Sequence, residues 1–169
     1  MRKAPEIVVC SFFTPDKYYS NHAKRLKSEL DSLGVHPELK KITKPAGVDW
    51  ADVTRMKIGF IREIAAKYPK SKIFWIDVDC SLTELPDFIR ESSADLIGFQ
   101  RSFGQPLRIG YQYRTRFWEP SFWGMGTSVQ ARKLIEDAYK LEQRSTIKAT
   151  DDYFLEEAWR ANAKNLSFQ

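Results

Sequence analysis

Two aspartates, Asp77 and Asp79, directly follow the apolar residues 73–76 and are the side chains in this sequence best suited to chemistry. Side chains two positions apart on an extended segment point the same way, so the two carboxylates are expected to lie together. Close carboxylates repel each other and resist burial, and a bound divalent cation relieves both effects. Hard oxygen ligands suit Mg²⁺ or Mn²⁺, which keep water ligands and bridge to phosphate oxygens. The pair therefore predicts a divalent-metal site.

A second acidic pair, Asp151 and Asp152, follows Thr150 towards the end of the chain. Thr150 and Asp151 are both favourable residues for the N-cap of a helix, so capping explains much of this pattern. A functional role for the two carboxylates is the alternative. The residue types alone leave both explanations open.

The elements that must position both acidic pairs alternate along the chain. Strands are predicted at residues 7–13, 36–42, 72–76 and 95–99. Helices are predicted at 19–33, from a cap at Asp52 or Thr54 to residue 68, at 129–141 and at 154–159, with a short helical stretch within 81–91. Residues 117–126 fit either a strand or a turn. The alternation predicts an α/β fold in which helices flank a parallel or mixed sheet, with ligands at the carboxyl ends of its strands.

Length and composition bound the remaining possibilities. The 169 residues are 43% hydrophobic, which is enough for the core of a single domain and too much for a disordered chain. The net charge of +5 suits an anionic ligand. Two cysteines, Cys10 and Cys80, do not make a disulfide framework and indicate a reducing cytosol. No apolar stretch is long enough to span a membrane and the first residues lack a signal-peptide core, so a cytoplasmic protein is expected.

Residues 57–61, 67–69 and 73–79 together resemble the donor half of a glycosyltransferase of the GT-A fold. In that family a helix leads into a strand that ends in an Asp-x-Asp motif. The resemblance implies one GT-A-like domain over residues 1–169, with a nucleotide-sugar-binding half at about 1–99 and an acceptor-side half at about 100–169. It also implies transfer of a sugar from a nucleotide-diphosphate sugar, with Mn²⁺ or Mg²⁺ neutralising the leaving group.

The resemblance implies roles for particular residues of the donor half. The family motif implies that Asp79 binds the metal on the donor diphosphate, and that Asp77 contacts the ribose or the metal. Because the family's first strand ends over the nucleobase, contacts with the base or ribose are implied for Ser11, Phe12, Phe13 and Tyr18. Arg55 and Lys57 are candidates to reach the base or the phosphates, and an ordinary polar helix face is the alternative.

The resemblance also implies roles for the second half. An acidic residue at this helix start lies near the anomeric carbon in the family, so Asp151 or Asp152 is implied as the general base of an inverting enzyme or an orienting group of a retaining one. Asp152 is favoured because apolar residues 153–155 follow it. Many members supply a late histidine to the metal, whereas His22 and His36 both precede the motif, which leaves the third ligand open. The short chain implies a small acceptor subdomain or a second subunit in a homo-oligomer.

A basic, aromatic stretch at residues 100–118 contains no acidic residue. The guanidinium group of arginine binds phosphates through paired hydrogen bonds, and aromatic rings stack on bases or sugars. The stretch predicts an acceptor loop for a glycan or a polyanion, nucleic acid included, through Arg101, Arg108, Arg114 and Arg116. A loop that folds over the core is the alternative. Residues 120–126 resemble the family's segment beside the sugars, where small residues leave room and Trp123 is a candidate to pack on the acceptor.

Two other functions fit parts of the sequence. Residues 77–82 also match the opening of a haloacid-dehalogenase-like phosphatase, with Asp77 as nucleophile and Asp79 as general acid and base. That family carries the motif on its first strand, whereas a strand–helix–strand–helix segment precedes it here. A nucleic-acid-binding module is the third hypothesis, and a strand-end pair of aspartates beside a polyanion counts against it.

Overall fold

The computed structural model of the protein describes residues 6–100 and 118–169. The strands are β1 (Ile7–Phe13), β2 (His36–Lys41), β3 (Lys72–Ile76), β4 (Leu96–Gln100) and β5 (Trp118–Met125). The helices are α1 (Lys17–Ser32), α2 (Trp50–Lys67), α3 (Asp87–Glu91), α4 (Val129–Arg144) and α5 (Asp151–Asn162), followed by one 3₁₀ turn, Ala163–Asn165. The predicted contacts of Arg101, Arg108, Arg114 and Arg116 fall outside the described residues.

The described strands form one mixed sheet in the order β2-β1-β3-β5-β4. β1 is parallel to β2 and β3, whereas β5 runs antiparallel to both β3 and β4. The segment that fitted either a strand or a turn is therefore a strand, and it lies inside the sheet. Helices pack on the sheet, so the predicted α/β fold with a mixed sheet is confirmed. The predicted halves share this sheet, because β5 inserts between β3 and β4.

Alternating side chains divide β1 and β3 between two apolar cores. Cys10 and Trp75 lie in the core that the sheet forms with α2, α4 and α5. Phe74 and Ile76 lie in the other core, with residues of α1 and α3. Cys10 is buried and Cys80 partly buried, and neither is in a disulfide. Within the described ranges, no helix combines the length and the apolar character needed to cross a membrane.

Helix α2 starts earlier than the sequence suggested. The prediction placed its cap at Asp52 or Thr54, but Asp49 is the N-cap and Trp50 is the first helical residue. Asp49 Oδ1 accepts from the Asp52 amide, and Asp52 Oδ2 accepts from the Asp49 amide, each at 3.0 Å. This reciprocal capping box satisfies two donors at once, which a cap at Asp52 would not do. The earlier start brings Trp50 to the mouth of the cleft described below.

Two expectations for residues 120–126 are wrong. Trp123 is only 2% exposed and lies in the core with Trp75, its partner in the β3–β5 pairing, so no sugar can pack on it. Gly124 does not leave room for a ligand, since a Cβ at this position would lie 2.3 Å from the ring of buried Phe74. The small residue is needed by the core, where interiors are close-packed.

Candidate functional site

A cleft of about 530 Å³ opens at the carboxyl ends of β1 and β3. Clefts of this size and position hold small ligands in open α/β sheets. Its walls come from the end of β1, the starts of α1, α2 and α5, and the residues after β3. Aromatic side chains on these walls are Phe12, Phe13, Tyr19, Trp50 and Trp75, and the charged ones are Lys44, Lys57, Asp77, Asp79, Asp151 and Asp152.

The two motif aspartates lie on a turn at residues 77–80, which we name the motif turn. β3 ends at Ile76, and the Cys80 amide donates to the Asp77 carbonyl at 2.9 Å to close the turn. The predicted extended segment through Asp79 is wrong, because the chain turns after Ile76. Asp77 and Asp79 nevertheless both line the cleft, as does Val78 between them, which is otherwise buried in the core that includes residues of α1.

Lys57 connects the motif turn to α5. Its Nζ lies 3.1 Å from Asp77 Oδ1 and 3.1 Å from Asp151 Oδ2, and it donates to the Pro120 carbonyl at 3.3 Å. The Lys57 side chain is only 7% exposed. Trp75 contacts both members of the Lys57–Asp77 pair. Its Nε1 donates to Asp77 Oδ1 at 2.6 Å, and its ring centroid lies 4.7 Å from the Lys57 ammonium. One buried cation thus holds carboxylates from two distant parts of the chain.

Lys57, Asp77 and Asp151 form an ion cluster, in which burial and charge shift the pKa values of Lys57 and Asp151 in opposite directions. Burial disfavours the charged form of Lys57, but the carboxylates of Asp151 and Asp77 outweigh it and raise the pKa of the ammonium. Burial raises the pKa of Asp151, and Lys57 offsets part of that rise. Burial, together with the charge of Asp79, also raises the pKa of the Tyr19 hydroxyl. Lys57 is therefore a cation, and Tyr19 a hydrogen-bond donor, at neutral pH.

The second acidic pair begins α5. Thr150 is the N-cap residue but makes no side-chain cap bond. Its hydroxyl instead donates to Asp152 Oδ1, which also accepts from the Tyr153 amide at 3.1 Å. Both aspartates are nearly buried and line the cleft. Side-chain capping by Thr150 therefore does not account for the pattern: Asp151 is paired with Lys57, and Asp152 is oriented by Thr150.

The structure brings some predicted site residues together and leaves others apart. Those in the cleft are Phe12, Phe13, Lys57, Asp77, Asp79, Asp151 and Asp152. Ser11 is fully buried in β1 and does not line the cleft. Tyr18 is 58% exposed and packs on Tyr19 and His22 outside it. Arg55 turns to α4, where its Nε donates to Glu142 Oε1 at 3.0 Å.

Sequence reasoning missed the aromatic residues Tyr19, Trp50 and Trp75. Trp75 carried a usable signal, because it stands two positions before Asp77 on a strand and side chains at that spacing share a face. Tyr19 has the spacing of a core residue of α1, yet it lies in the first turn of that helix and lines the cleft. Trp50 is 71% exposed on the cleft rim, and only the correct start of α2 would have placed it there.

The donor set available to a metal is small. Within residues 6–100 and 118–169, no group of three or more His, Cys, Asp or Glu side chains is arranged to hold a metal ion. His36 lies on β2, with its Nε2 3.0 Å from the Tyr68 hydroxyl. Asp77 and Asp79 supply hard oxygens, and one Asp77 oxygen already accepts from Lys57 and Trp75. Two carboxylates of this kind are hard oxygen donors that suit Mg²⁺ or Mn²⁺, ions that commonly keep water ligands beside one or two carboxylates.

An ion pair between the loop before α5 and the start of α2 gives a pH prediction. Lys148, in the loop before α5, pairs with Asp49, the N-cap of α2. The Lys148 hydrogen bond and the Asp52 amide lower the pKa of Asp49 from 3.8 to about 2. Since the folded pKa is the lower one, the stability that Asp49 contributes is complete above pH 3.8 and is lost as the pH falls through about 2.

Replacing Lys148 with methionine is expected to move the pKa of Asp49 back towards its ordinary value, because the largest cause of the shift is removed. A carboxyl NMR titration measures this directly. Lys140→Met is the control, since Lys140 is a half-exposed lysine that pairs with Glu136 on α4. An Asp49 pKa that is the same in the Lys148 variant and the wild type would contradict the prediction.

Comparisons with known proteins support the fold. No protein-family model and no curated protein sequence matches this chain. One solved structure that matches is the crystal structure of a glycosyltransferase involved in the glycosylation of the major capsid of PBCV-1, with a TM-score of 0.65 and 11% identity, over 90% of this chain and 76% of that chain. An identity this low supports the fold alone. The protein therefore has an α/β fold of the GT-A-like type, similar to that of this glycosyltransferase.

Proposed function

We propose that the protein is a metal-dependent glycosyltransferase that uses a nucleotide-diphosphate sugar. The observation that carries the proposal is the convergence of two acidic pairs in one cleft. Asp77 and Asp79 approach it from the motif turn, and Asp151 and Asp152 from the start of α5. The cleft lies where ligands bind in such sheets, in a fold similar to that of a glycosyltransferase.

The two sides of the cleft suit the two parts of such a donor. Phe12, Phe13, Tyr19 and Trp50 offer aromatic faces on which a nucleobase can stack. Asp77 and Asp79 would hold Mg²⁺ or Mn²⁺, and the bound metal would supply Lewis-acid neutralisation of the diphosphate leaving group. The Tyr19 hydroxyl, protonated at neutral pH, is a donor available to a phosphate or ribose oxygen.

The residues around the reacting carbon have separate tasks in this proposal. Asp152, held by the Thr150 hydroxyl, faces the acceptor and takes the proton of its hydroxyl group or orients that group. Asp151 and Asp77 are bound by Lys57, which fixes the distance between the donor side and the acceptor side. A glycan, or a polyanion bound through the arginines of residues 101–116, remains the predicted acceptor class.

A nucleotide-sugar panel with Mn²⁺ tests the proposal. Bound donor at about 100 times its dissociation constant stabilises a protein by about 2.7 kcal/mol. For a domain of this size we expect the unfolding temperature to rise by about 5–10 °C. Release of nucleoside diphosphate in the presence of acceptor checks turnover. Stabilisation by phosphomonoesters alone, with no nucleotide sugar active in either assay, would contradict the proposal and favour a phosphatase.

A further inference from the structure

Helix α1 holds the motif turn through an arginine that lies far from the turn in sequence. One terminal nitrogen of Arg25, Nη2, donates to the Asp79 carbonyl at 3.0 Å and to the Cys80 carbonyl at 2.9 Å. Both bonds are charge-assisted, which makes them stronger than bonds between neutral groups. The peptide planes that follow Asp79 and Cys80 are therefore fixed by α1.

Glu29, one helical turn after Arg25, completes this contact. Its Oε1 lies 3.4 Å from Arg25 Nε, and its Oε2 accepts from the Leu82 amide at 2.9 Å. Residues four apart share a helix face, so both side chains reach the same segment. Together, Arg25 and Glu29 bond to two backbone carbonyls and one backbone amide between residues 79 and 82. We name Arg25 and Glu29 the α1 clamp.

The helix that carries the α1 clamp is itself immobilised. Leu26 and Leu30, on the face next to the clamp, are fully buried in the same core as Val78 of the motif turn. At its start, Asp16 caps the helix by accepting from the Tyr19 amide at 2.9 Å, and Tyr19 lines the cleft. One rigid element thus sets the position of Tyr19 and of the turn that carries Asp79.

We propose that Arg25 and Glu29 are positioning residues that aim the Asp79 carboxylate into the cleft. This inference rests on the proposed function, in which Asp79 binds the metal. Asp79 is an exposed residue, and the orientation of its Cα–Cβ bond depends on the backbone that the α1 clamp holds. Groups that orient a ligating carboxylate typically change metal affinity by about 10–100-fold when they are removed.

The sequence offers a matched control on the same helix. Lys27 and Asp31 are also four residues apart, and Lys27 Nζ lies 2.6 Å from Asp31 Oδ2. These side chains are 59% and 52% exposed, and their ion pair does not involve the motif turn. Lys27→Met removes the same charge from α1 as Arg25→Met does. A difference between the two variants therefore reports on the clamp and not on net charge.

The test measures the dissociation constant of Mn²⁺ from the full chain, with and without UDP, by electron paramagnetic resonance. We expect Arg25→Met to raise the constant by about 10–100-fold, Arg25→Lys to recover part of the loss, and Lys27→Met to stay within about twofold of wild type. Wild-type protein that binds no Mn²⁺ would overturn the proposed function and this inference with it. Wild-type protein that binds Mn²⁺, with Arg25→Met within about twofold of it, would overturn the inference alone.

Amide hydrogen exchange gives a readout that does not require metal. We expect exchange at Leu82 and Cys80 to accelerate by about tenfold in Arg25→Met and in Glu29→Gln, because the bonds that hold the backbone are weakened. Exchange should be unchanged in Lys27→Met. Wild-type exchange rates at both amides in a folded Arg25→Met protein would overturn the inference. Because Arg25→Met and Glu29→Gln are measured separately, the test stays informative if one of these two variants folds poorly.

Discussion

Asp79→Asn is expected to reduce turnover of the nucleotide sugar by about 10³-fold while the fold stays intact. A metal contributes several kcal/mol of charge stabilisation in the transition state, and each 1.36 kcal/mol corresponds to a factor of ten in rate. Asparagine keeps the size of the side chain but removes the negative charge that the metal requires. Asp79 is exposed on the motif turn, so its loss of charge should leave the unfolding temperature within about 2 °C of wild type.

The measurement is the steady-state release of nucleoside diphosphate at saturating Mn²⁺, with circular dichroism as the check on folding. Glu84→Gln is the matched control, because Glu84 is also exposed, follows the same strand and loses the same charge. We expect the control to keep wild-type turnover. Wild-type turnover in Asp79→Asn would remove Asp79 from the metal site and would contradict the mechanism proposed for this cleft.

Lys57→Met is expected to lower the free energy of unfolding by about 3–5 kcal/mol, which is the usual effect of breaking a buried ion pair on one side. The change leaves Asp151 buried without its cation, and Asp77 loses one of the donors to its Oδ1. Methionine fills a similar volume, so the loss comes from charge and not from a cavity. Chemical denaturation measures the change, and nucleotide release should fall with it.

The double variant Lys57→Met/Asp151→Asn separates the ion cluster from other effects. Removing both charges of the pair is expected to recover much of the lost stability, since no uncompensated buried carboxylate remains at Asp151. Lys133→Met is the control, because Lys133 is 60% exposed and its ion pair with Asp137 should contribute less than about 1 kcal/mol. A double variant no more stable than Lys57→Met would show that the Lys57–Asp151 pair is not the source of the effect.

The parts of the fold that local pattern determines were predictable. β1 and β3 are short apolar runs, and their predicted bounds agree with the structure. β5 was ambiguous because Pro120 and Gly124 disfavour a strand, and its place depends on pairing with β3 and on the space that Phe74 takes beside Gly124. Whether these residues form a strand depends on tertiary packing, which a short stretch of sequence does not reveal.

In the candidate site, too, local pattern predicts some residues, whereas others depend on tertiary contacts. Asp77 and Asp79 could be found because their residue types and their position after an apolar strand point to a metal. The structural role of Lys57 could not be predicted, because its contact with Asp151 joins residues on different helices that are far apart in the chain. Arg55 illustrates the opposite error, since its charge suggested a phosphate ligand whereas it is engaged with Glu142 on α4.

The antiparallel strand β5 also has a consequence for the order in which the protein can assemble. β3 has a free backbone edge until β5 arrives, and among the described residues β4 pairs with β5 and with the last residues of the chain. A nascent chain that has emerged only as far as residue 99 therefore exposes one unpaired edge of β3, directly before the motif turn, and such an edge is prone to aggregate. The sheet closes only after residues 118–125 are synthesised, and such non-local pairing makes folding slow.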